Sequence, residues 1–131
     1  MAIQFNHTIV WCTDRQKSAD FLTGMLGLPP AVPFGPFLVV KLDNAVSVDF
    51  YQQEGPITLQ HYAYLVGEEE FDAIFARIRE RQLPYWADPG KSQPGEIYTH
   101  FGGRGLYFDD PDGHLLEAMT RPYGHSMPQP G

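Results

Sequence analysis

The chain has 131 residues and a formal net charge of −7. It carries no basic stripe, which argues against nucleic acid or an anionic membrane as a partner. Its hydrophobic content of 43% and charged content of 19% are those of a globular protein that can bury one core. No apolar run is long enough to cross a bilayer, and the first residues lack the order of a signal peptide, so we expect a cytoplasmic location.

The first half of the chain predicts a strand, a helix and a strand hairpin. Residues 4–12 (QFNHTIVWC) are rich in β-branched and aromatic side chains, which favour a strand. A capping box at Thr13 and Gln16 predicts the start of a helix, and Gly27 predicts its end. Residues 37–52 then contain two strand-like runs around Asp-Asn, a pair typical of a hairpin turn.

The second half repeats this order. Three glutamates at 68–70 open a predicted helix, and the arginines at 77, 79 and 81 close it, as the helix dipole favours. Phe71, Ile74, Phe75 and Ile78 supply the apolar stripe of that helix. Strands are predicted at residues 59–66, 85–87, 105–109 and 115–120.

The repeat predicts the fold class. Setting His7 on His61 aligns strand with strand and helix with helix. We therefore expect an α+β fold in which two βαβββ modules form an open, cleft-containing β-barrel. Module one is expected at residues 1–55, module two at 56–120, and a loose tail at 121–131.

Ionisable residues occupy equivalent positions in the two predicted modules. His7 and His61 lie on the first strand of each half, and Asp49 and Glu117 lie on the last. Ionisable groups inside apolar strands are costly to bury unless they are paired or bind a metal. Because Cys12 is the single cysteine, any metal site must be built from histidine and carboxylate. Taken alone, one histidine on an apolar strand is more often a core or interface residue than a metal ligand.

The trio His7, His61 and Glu117 is therefore predicted to bind one divalent metal ion. Two imidazoles and one carboxylate suit Fe(II), Mn, Ni, Co or Zn, and the remaining coordination positions would stay open for substrate. Asp49 is one methylene shorter than glutamate. It is interpreted as a fourth ligand, a base, or an acceptor that orients a ligating histidine.

Tyr107 and His100 are the next candidates for chemistry. Tyr107 lies on the strand that forms a hairpin with the strand of Glu117, so its phenol can donate to a metal-bound oxygen. His100 precedes Gly102-Gly103 and can act as a mobile acid or base. An ordinary edge tyrosine and a solvated loop histidine are the alternatives.

These residues resemble the vicinal oxygen chelate superfamily, which includes glyoxalase I, extradiol dioxygenases, fosfomycin resistance proteins and bleomycin-binding proteins. The similarity runs from FNHTIVWCTD through LTGMLGLP and QHYAYLV to LYFDDPDGHLLEAM. It implies one domain over 1–131, usually paired into a homodimer, with metal ligands at His7, His61 and Glu117. Glyoxalase I places a fourth acidic ligand at the position of Asp49.

The segment from His100 to Glu117 is similar to the extradiol dioxygenase signature. In those enzymes the equivalents of Tyr107 and His100 assist the chemistry. Two positions depart from the pattern: Tyr98 replaces a small or aliphatic residue, and Val46 stands where an additional histidine would fall. Fosfomycin thiol transferases carry threonine where this chain has Ile9, so that likeness is weaker.

Two functions follow as hypotheses. The first is a metal-dependent enzyme, dioxygenase-like or glyoxalase-like, that acts on a small oxygenated molecule chelating the metal through adjacent oxygens. In this hypothesis Tyr107, His100 or Asp49 moves protons. The alternative is a non-catalytic dimeric protein that sequesters an antibiotic or an aromatic natural product. A small molecule is the expected partner in both.

Overall fold

The computed structural model describes residues 2–122, and residues 123–131 of the predicted tail lie outside this range. Within it, none of the helices has the length and apolar character that a bilayer crossing requires. The fold is α+β and divides into two compact units. Unit one holds the residues up to Leu59 together with Asp110–Asp112, and unit two holds Gln60–Asp109 and the residues from Gly113 onward.

Unit one is a complete βαβββ module. Its strands form one sheet in the order β1-β4-β3-β2, in which β1 is parallel to β4 and the other neighbours are antiparallel. The elements are β1 (His7–Cys12), α1 (Arg15–Leu26), β2 (Val32–Phe34), β3 (Phe37–Lys41) and β4 (Ser47–Gln52).

Side chains along these strands point alternately to the two faces of the sheet, so that one face lies in the core and the other is accessible. Val10, Val40 and Phe50 are buried on one face, together with Leu22 and Met25 of α1. The residues between them in sequence point to the opposite face and are more exposed. The predicted hairpin at residues 37–52 is confirmed.

The start of α1 differs from the prediction. The N-cap is Asp14, whose side chain accepts a hydrogen bond from the backbone N–H of Lys17, so the capping box at Thr13 and Gln16 is wrong. The Thr13 hydroxyl instead donates to Asp112, at 2.7 Å. Gly27 does end the helix, in the left-handed conformation that glycine adopts at low cost.

Unit two follows the same plan with a shorter sheet. Its elements are β5 (His61–Leu65), α2 (Glu68–Glu80), a 3-10 turn (His100–Gly102), β6 (Gly105–Asp109) and β7 (Leu115–Met119). The strand order is β5-β7-β6, with β5 parallel to β7. The strand predicted at 85–87 is not formed, because Trp86 makes only isolated bridges to Pro94 and Tyr107.

The core of unit two uses the apolar stripe predicted for α2. Phe71, Ile74 and Ile78 are buried, whereas Phe75 of the predicted stripe is only partly buried. The even-numbered residues of β6 and β7 are buried as well. The odd-numbered residues of the sheet lie on the other face, and this face carries the polar side chains. Each unit therefore presents one sheet face on which chemistry can take place.

Candidate functional site

The centre of the site in unit two is the contact between His61 and Glu117. The parallel register of β5 and β7 sets His61 beside Leu115 and Ala63 beside Glu117, so the imidazole and the carboxylate are diagonal neighbours on one face. Nε2 of His61 lies 3.2 Å from Oε1 of Glu117. The His61 side chain is 46% exposed and that of Glu117 is 10% exposed. The histidine is therefore accessible from solvent, and the carboxylate lies beneath it.

A backbone contact fixes the tautomer of His61. Nδ1 lies 2.9 Å from the carbonyl oxygen of Leu115, which can only accept a hydrogen bond, so Nδ1 carries the proton and donates it. In neutral His61, Nε2 then holds a lone pair that faces a carboxylate oxygen. Two electron-rich atoms at this distance are stable together when a proton or a cation lies between them.

This pair fits a divalent ion. Metal-binding histidines commonly donate their second ring N–H to a carbonyl or a carboxylate, as His61 does. Two ligand atoms about 2.1 Å from one ion, at about a right angle, are roughly 3 Å apart. The separation of 3.2 Å between Nε2 and Oε1 is close to that value. Imidazole nitrogen and carboxylate oxygen together suit borderline metals such as Fe(II), Mn, Co, Ni and Zn.

The second oxygen of Glu117 is bonded to a residue that the sequence did not identify as functional. The Tyr98 hydroxyl donates to Oε2 at 2.5 Å, and both residues are buried. Burial, with the adjacent Glu117 carboxylate adding to it, raises the pKa of Tyr98 well above its ordinary range. The phenol therefore stays protonated and remains a donor at physiological pH.

Two further rings lie beside Tyr98 and His61. The His100 ring stacks on Tyr98 with a centroid separation of 5.1 Å and an interplanar angle of 9°. Tyr107 lies 6.0 Å from Tyr98 and 5.8 Å from His61, measured between ring centroids. The structure thus brings the predicted residues Tyr107 and His100 to the same face as Glu117 and His61.

A charged loop contacts β6 beside these rings. Lys91 Nζ lies 2.8 Å from Oδ2 of Asp109 and 4.6 Å from the centroid of the Trp86 ring. Trp86 forms backbone hydrogen bonds with Tyr107 in both directions. Asp109 shares the face of Tyr107, since the two are separated by one residue on β6. A cation and an indole ring therefore lie at the β6 side of the face.

The other predicted residues, His7 and Asp49, lie in unit one. His7 is exposed, and its Nδ1 is 2.7 Å from Oδ1 of Asn6. Asp49 is partly buried and accepts a hydrogen bond from the Ser47 hydroxyl at 2.8 Å. Both lie on the accessible face of their sheet.

The registers of the two units are equivalent. His7 pairs with Ser47, and Asp49 follows two residues later; His61 pairs with Leu115, and Glu117 follows two residues later. The internal repeat predicted from the sequence is therefore present at the level of strand pairing.

Two of the three predicted metal ligands are in contact. His61 and Glu117 belong to unit two, whereas His7 belongs to unit one. Among residues 2–122, no three histidine, cysteine, aspartate or glutamate side chains form a group that could hold a metal ion. The complete trio therefore stays a prediction.

Two polar residues near the site have structural roles. His114 is fully buried, and its Nδ1 accepts the backbone N–H of Gln60 at 3.0 Å, just before His61 begins β5. Arg104 binds Glu68 and Asp72 of α2 at 2.7 and 2.8 Å. His114 thus supports the strand that carries His61, and Arg104 ties the start of β6 to the helix.

Comparison with known proteins identifies the family of the chain. Residues 4–118 match the model of the Glyoxalase/Bleomycin resistance protein/Dioxygenase superfamily. The chain is 32% identical over 123 residues to a protein described as glutathione transferase FosA from Serratia marcescens, and the match covers 89% of this chain and 80% of the relative.

Solved structures extend the comparison. The structure described as oxidase ChaP-H1 is 62% identical with a TM-score of 0.92, and the match covers 94% of this chain and 99% of that one. Oxidase ChaP-H2 is 55% identical with a TM-score of 0.92, covering 95% and 98%. The chain therefore belongs to the Glyoxalase/Bleomycin resistance protein/Dioxygenase superfamily, also called the vicinal oxygen chelate superfamily.

Proposed function

We propose that this protein is a metal-dependent oxidative enzyme acting on a small organic molecule that chelates the metal through adjacent oxygens. The observation that carries the proposal is the contact of His61 Nε2 with Glu117 Oε1, with the His61 tautomer fixed by Leu115. Similarity to two oxidases, at 62% and 55% identity, supports oxidation over glyoxalase-like isomerisation.

In this proposal His61, Glu117 and His7 hold one divalent ion. When bound, the ion would supply Lewis acidity and a template for two oxygens of the substrate. Because Nδ1 donates to the Leu115 carbonyl, the lone pair of neutral His61 is on Nε2, which is the atom that would bind the ion. The identity of the ion is proposed only as one of Fe, Mn, Ni, Co and Zn.

The remaining side chains orient the substrate and move protons. Tyr107, on the same face as Glu117, donates its phenolic proton to a substrate oxygen. His100, held parallel to the Tyr98 ring, exchanges a proton with the substrate. Asp49 is proposed as a proton acceptor, because Ser47 occupies one of its oxygens and its side chain is short.

We also propose a homodimer. Several large apolar side chains of both units are exposed, which is typical of a surface that another chain covers. They are Ile3, Phe5, Trp11, Val32, Phe34, Leu59 and Leu65. Light scattering coupled to size-exclusion chromatography tests this: the expected mass is twice that of the chain, and the mass of one chain would contradict it.

Metal analysis tests the main proposal. Protein purified without chelators, or titrated with Fe(II) under anaerobic conditions, is expected to hold one ion per chain. His61→Ala should lose it, whereas His100→Ala should keep it, because His100 is proposed to move protons and not to bind metal. Wild-type protein that binds none of the five metals would contradict the enzyme proposal and favour the sequestering alternative.

A chelating probe then tests for open coordination positions. 4-Nitrocatechol, which carries two adjacent oxygens, changes its visible spectrum when it binds a metal ion. The wild-type Fe(II) protein is expected to shift this spectrum at one probe per chain, and the apoprotein is not. A metal-loaded protein that leaves the spectrum unchanged would contradict substrate chelation.

A further inference from the structure

We propose that Tyr98 is a positioning residue that holds one oxygen of Glu117 and leaves the other to the metal ion. The inference rests on the proposed function, because it takes Glu117 as a ligand. The Tyr98 hydroxyl donates to Oε2 at 2.5 Å, while Oε1 is the oxygen that faces His61 Nε2 at 3.2 Å. The two carboxylate oxygens therefore have separate partners.

The hydrogen bond is protected from solvent. Tyr98 is 8% exposed and Glu117 is 7% exposed. A hydrogen bond to an ionised carboxylate is roughly twice as strong as one between neutral groups, and burial limits competition from water. The parallel stack with His100 holds the Tyr98 ring on one side. Rotation of the carboxylate would thus break a strong, buried bond.

Gly105 makes this approach of the phenol possible. Tyr98 and Gly105 form an isolated antiparallel bridge, with backbone hydrogen bonds of 2.9 and 3.0 Å. A Cβ atom at Gly105 would lie 2.0 Å from Cζ and 2.2 Å from the hydroxyl oxygen of Tyr98. The Tyr98 ring therefore passes directly over a position that only glycine leaves open.

The consequence is a carboxylate ligand that binds through one oxygen. If Oε2 were free, Glu117 could turn and bind the ion through both oxygens, which would fill a further coordination position. With Oε2 bonded to Tyr98, that position stays available for the second oxygen of a chelating substrate. The phenol thus acts on the metal through Glu117 and touches neither the ion nor the substrate.

Tyr98→Phe tests the inference, since it removes the hydroxyl and keeps the ring. Co(II) is the probe, with affinity measured by competition against a chelator and coordination followed in the visible absorption spectrum. Tyr98→Phe is expected to bind Co(II) about 10–100-fold more weakly, the usual effect of losing an outer hydrogen-bond partner, and to show a changed spectrum. Tyr85→Phe is the matched control, because it removes a phenol that packs against Phe75 of α2.

Gly105→Ala gives a second, independent variant. Its Cβ should displace the phenol and weaken Co(II) binding to a similar extent while the hydroxyl is still present. In a Tyr98→Ala background the same Gly105→Ala change should have no further effect, since the three atoms nearest to the added Cβ all belong to Tyr98. Thermal denaturation of each apoprotein establishes that the variant is folded.

The outcomes separate this inference from the proposed function. If wild type binds Co(II) and Tyr98→Phe binds it equally well with the same spectrum, the positioning role is overturned and the enzyme proposal stands. Equal losses in Tyr98→Phe and Tyr85→Phe would also overturn it. If wild type binds neither Co(II) nor any of the other four metals, the proposed function fails and the inference fails with it.

Discussion

His61 Nε2 lies 3.2 Å from Glu117 Oε1, whereas the equivalent residues of unit one, His7 and Asp49, have other partners. The strand register is the same in both units, so the difference comes from the side chains. Glutamate is longer than aspartate by one methylene, and Ser47 supplies a hydroxyl where Leu115 has none. The duplicated module therefore places a histidine and a carboxylate at equivalent positions in both units, and in unit two these side chains are in contact.

Shortening Glu117 should break its contact with His61, so that the pair in unit two resembles His7 and Asp49 in unit one. Glu117→Asp withdraws the carboxylate from both His61 and Tyr98, so it should weaken metal binding by at least the 10–100-fold that loss of an outer partner costs. Competition titration with Co(II) measures this. Glu69→Gln on the exposed first turn of α2 is the control and should bind as wild type does. Unchanged affinity in Glu117→Asp would exclude Glu117 as a ligand.

Removing the charge of Asp49 should leave metal binding intact. Asp49→Asn keeps the size of the side chain, and the proposed role of Asp49 is proton transfer. We expect Co(II) affinity within about threefold of wild type, together with turnover reduced by roughly 10²–10⁴-fold once a substrate is found. A large loss of Co(II) affinity would instead identify Asp49 as a fourth ligand.

The N-cap of α1 should be sensitive to substitution at Asp14. Asp14→Ala removes the acceptor for the Lys17 N–H and should lower the free energy of unfolding by about 1 kcal/mol. Asp14→Ser retains a capping oxygen and should recover most of that loss. Urea denaturation measures all three proteins. If Asp14→Ala is as stable as wild type, the side-chain cap contributes nothing to α1.

Cys12 should make the protein less stable at high pH. Burial, with nearby Asp112 adding to it, raises the pKa of the Cys12 thiol from 9.0 to about 11. As pH rises, the Cys12 thiol of the unfolded chain loses its proton before the thiol of the folded protein does. The contribution of the protonated thiol to the stability of the folded protein is therefore complete below the unfolded pKa, and it is lost as pH rises toward 11. The loss corresponds to roughly 2–3 kcal/mol.

Cys12→Ala provides the reference for that measurement. Urea denaturation of both proteins near pH 8 and near pH 11 should show wild type losing stability relative to the variant, because other titrating groups are common to both. A difference between the two proteins that does not change with pH would contradict the raised pKa of Cys12.

Much of the fold could be predicted because it depends on local patterns. The stripe of Phe71, Ile74 and Ile78 and the left-handed Gly27 are properties of short segments, and both are confirmed. The capping box at Thr13 was wrong because Asp112, far away in sequence, binds that hydroxyl and leaves Asp14 to cap the helix.

Tyr98 could not be identified from its own segment. In the sequence it is notable only as a departure from the dioxygenase signature, and its partner Glu117 is 19 residues away on β7. The signal that would have found it is the combination of a large ring with a glycine across a strand pair, here Tyr98 and Gly105. That combination becomes visible only when the pairing between the two segments is known.

A crystal structure of the protein soaked with Mn(II), with anomalous scattering used to locate the ion, tests the proposed metal site most directly. We expect one ion per chain bound by His61 Nε2 and Glu117 Oε1, with an imidazole of His7 completing the protein ligands and Tyr98 still bonded to Oε2. An ion bound elsewhere, or His61 and Glu117 without an ion at saturating Mn(II), would contradict it.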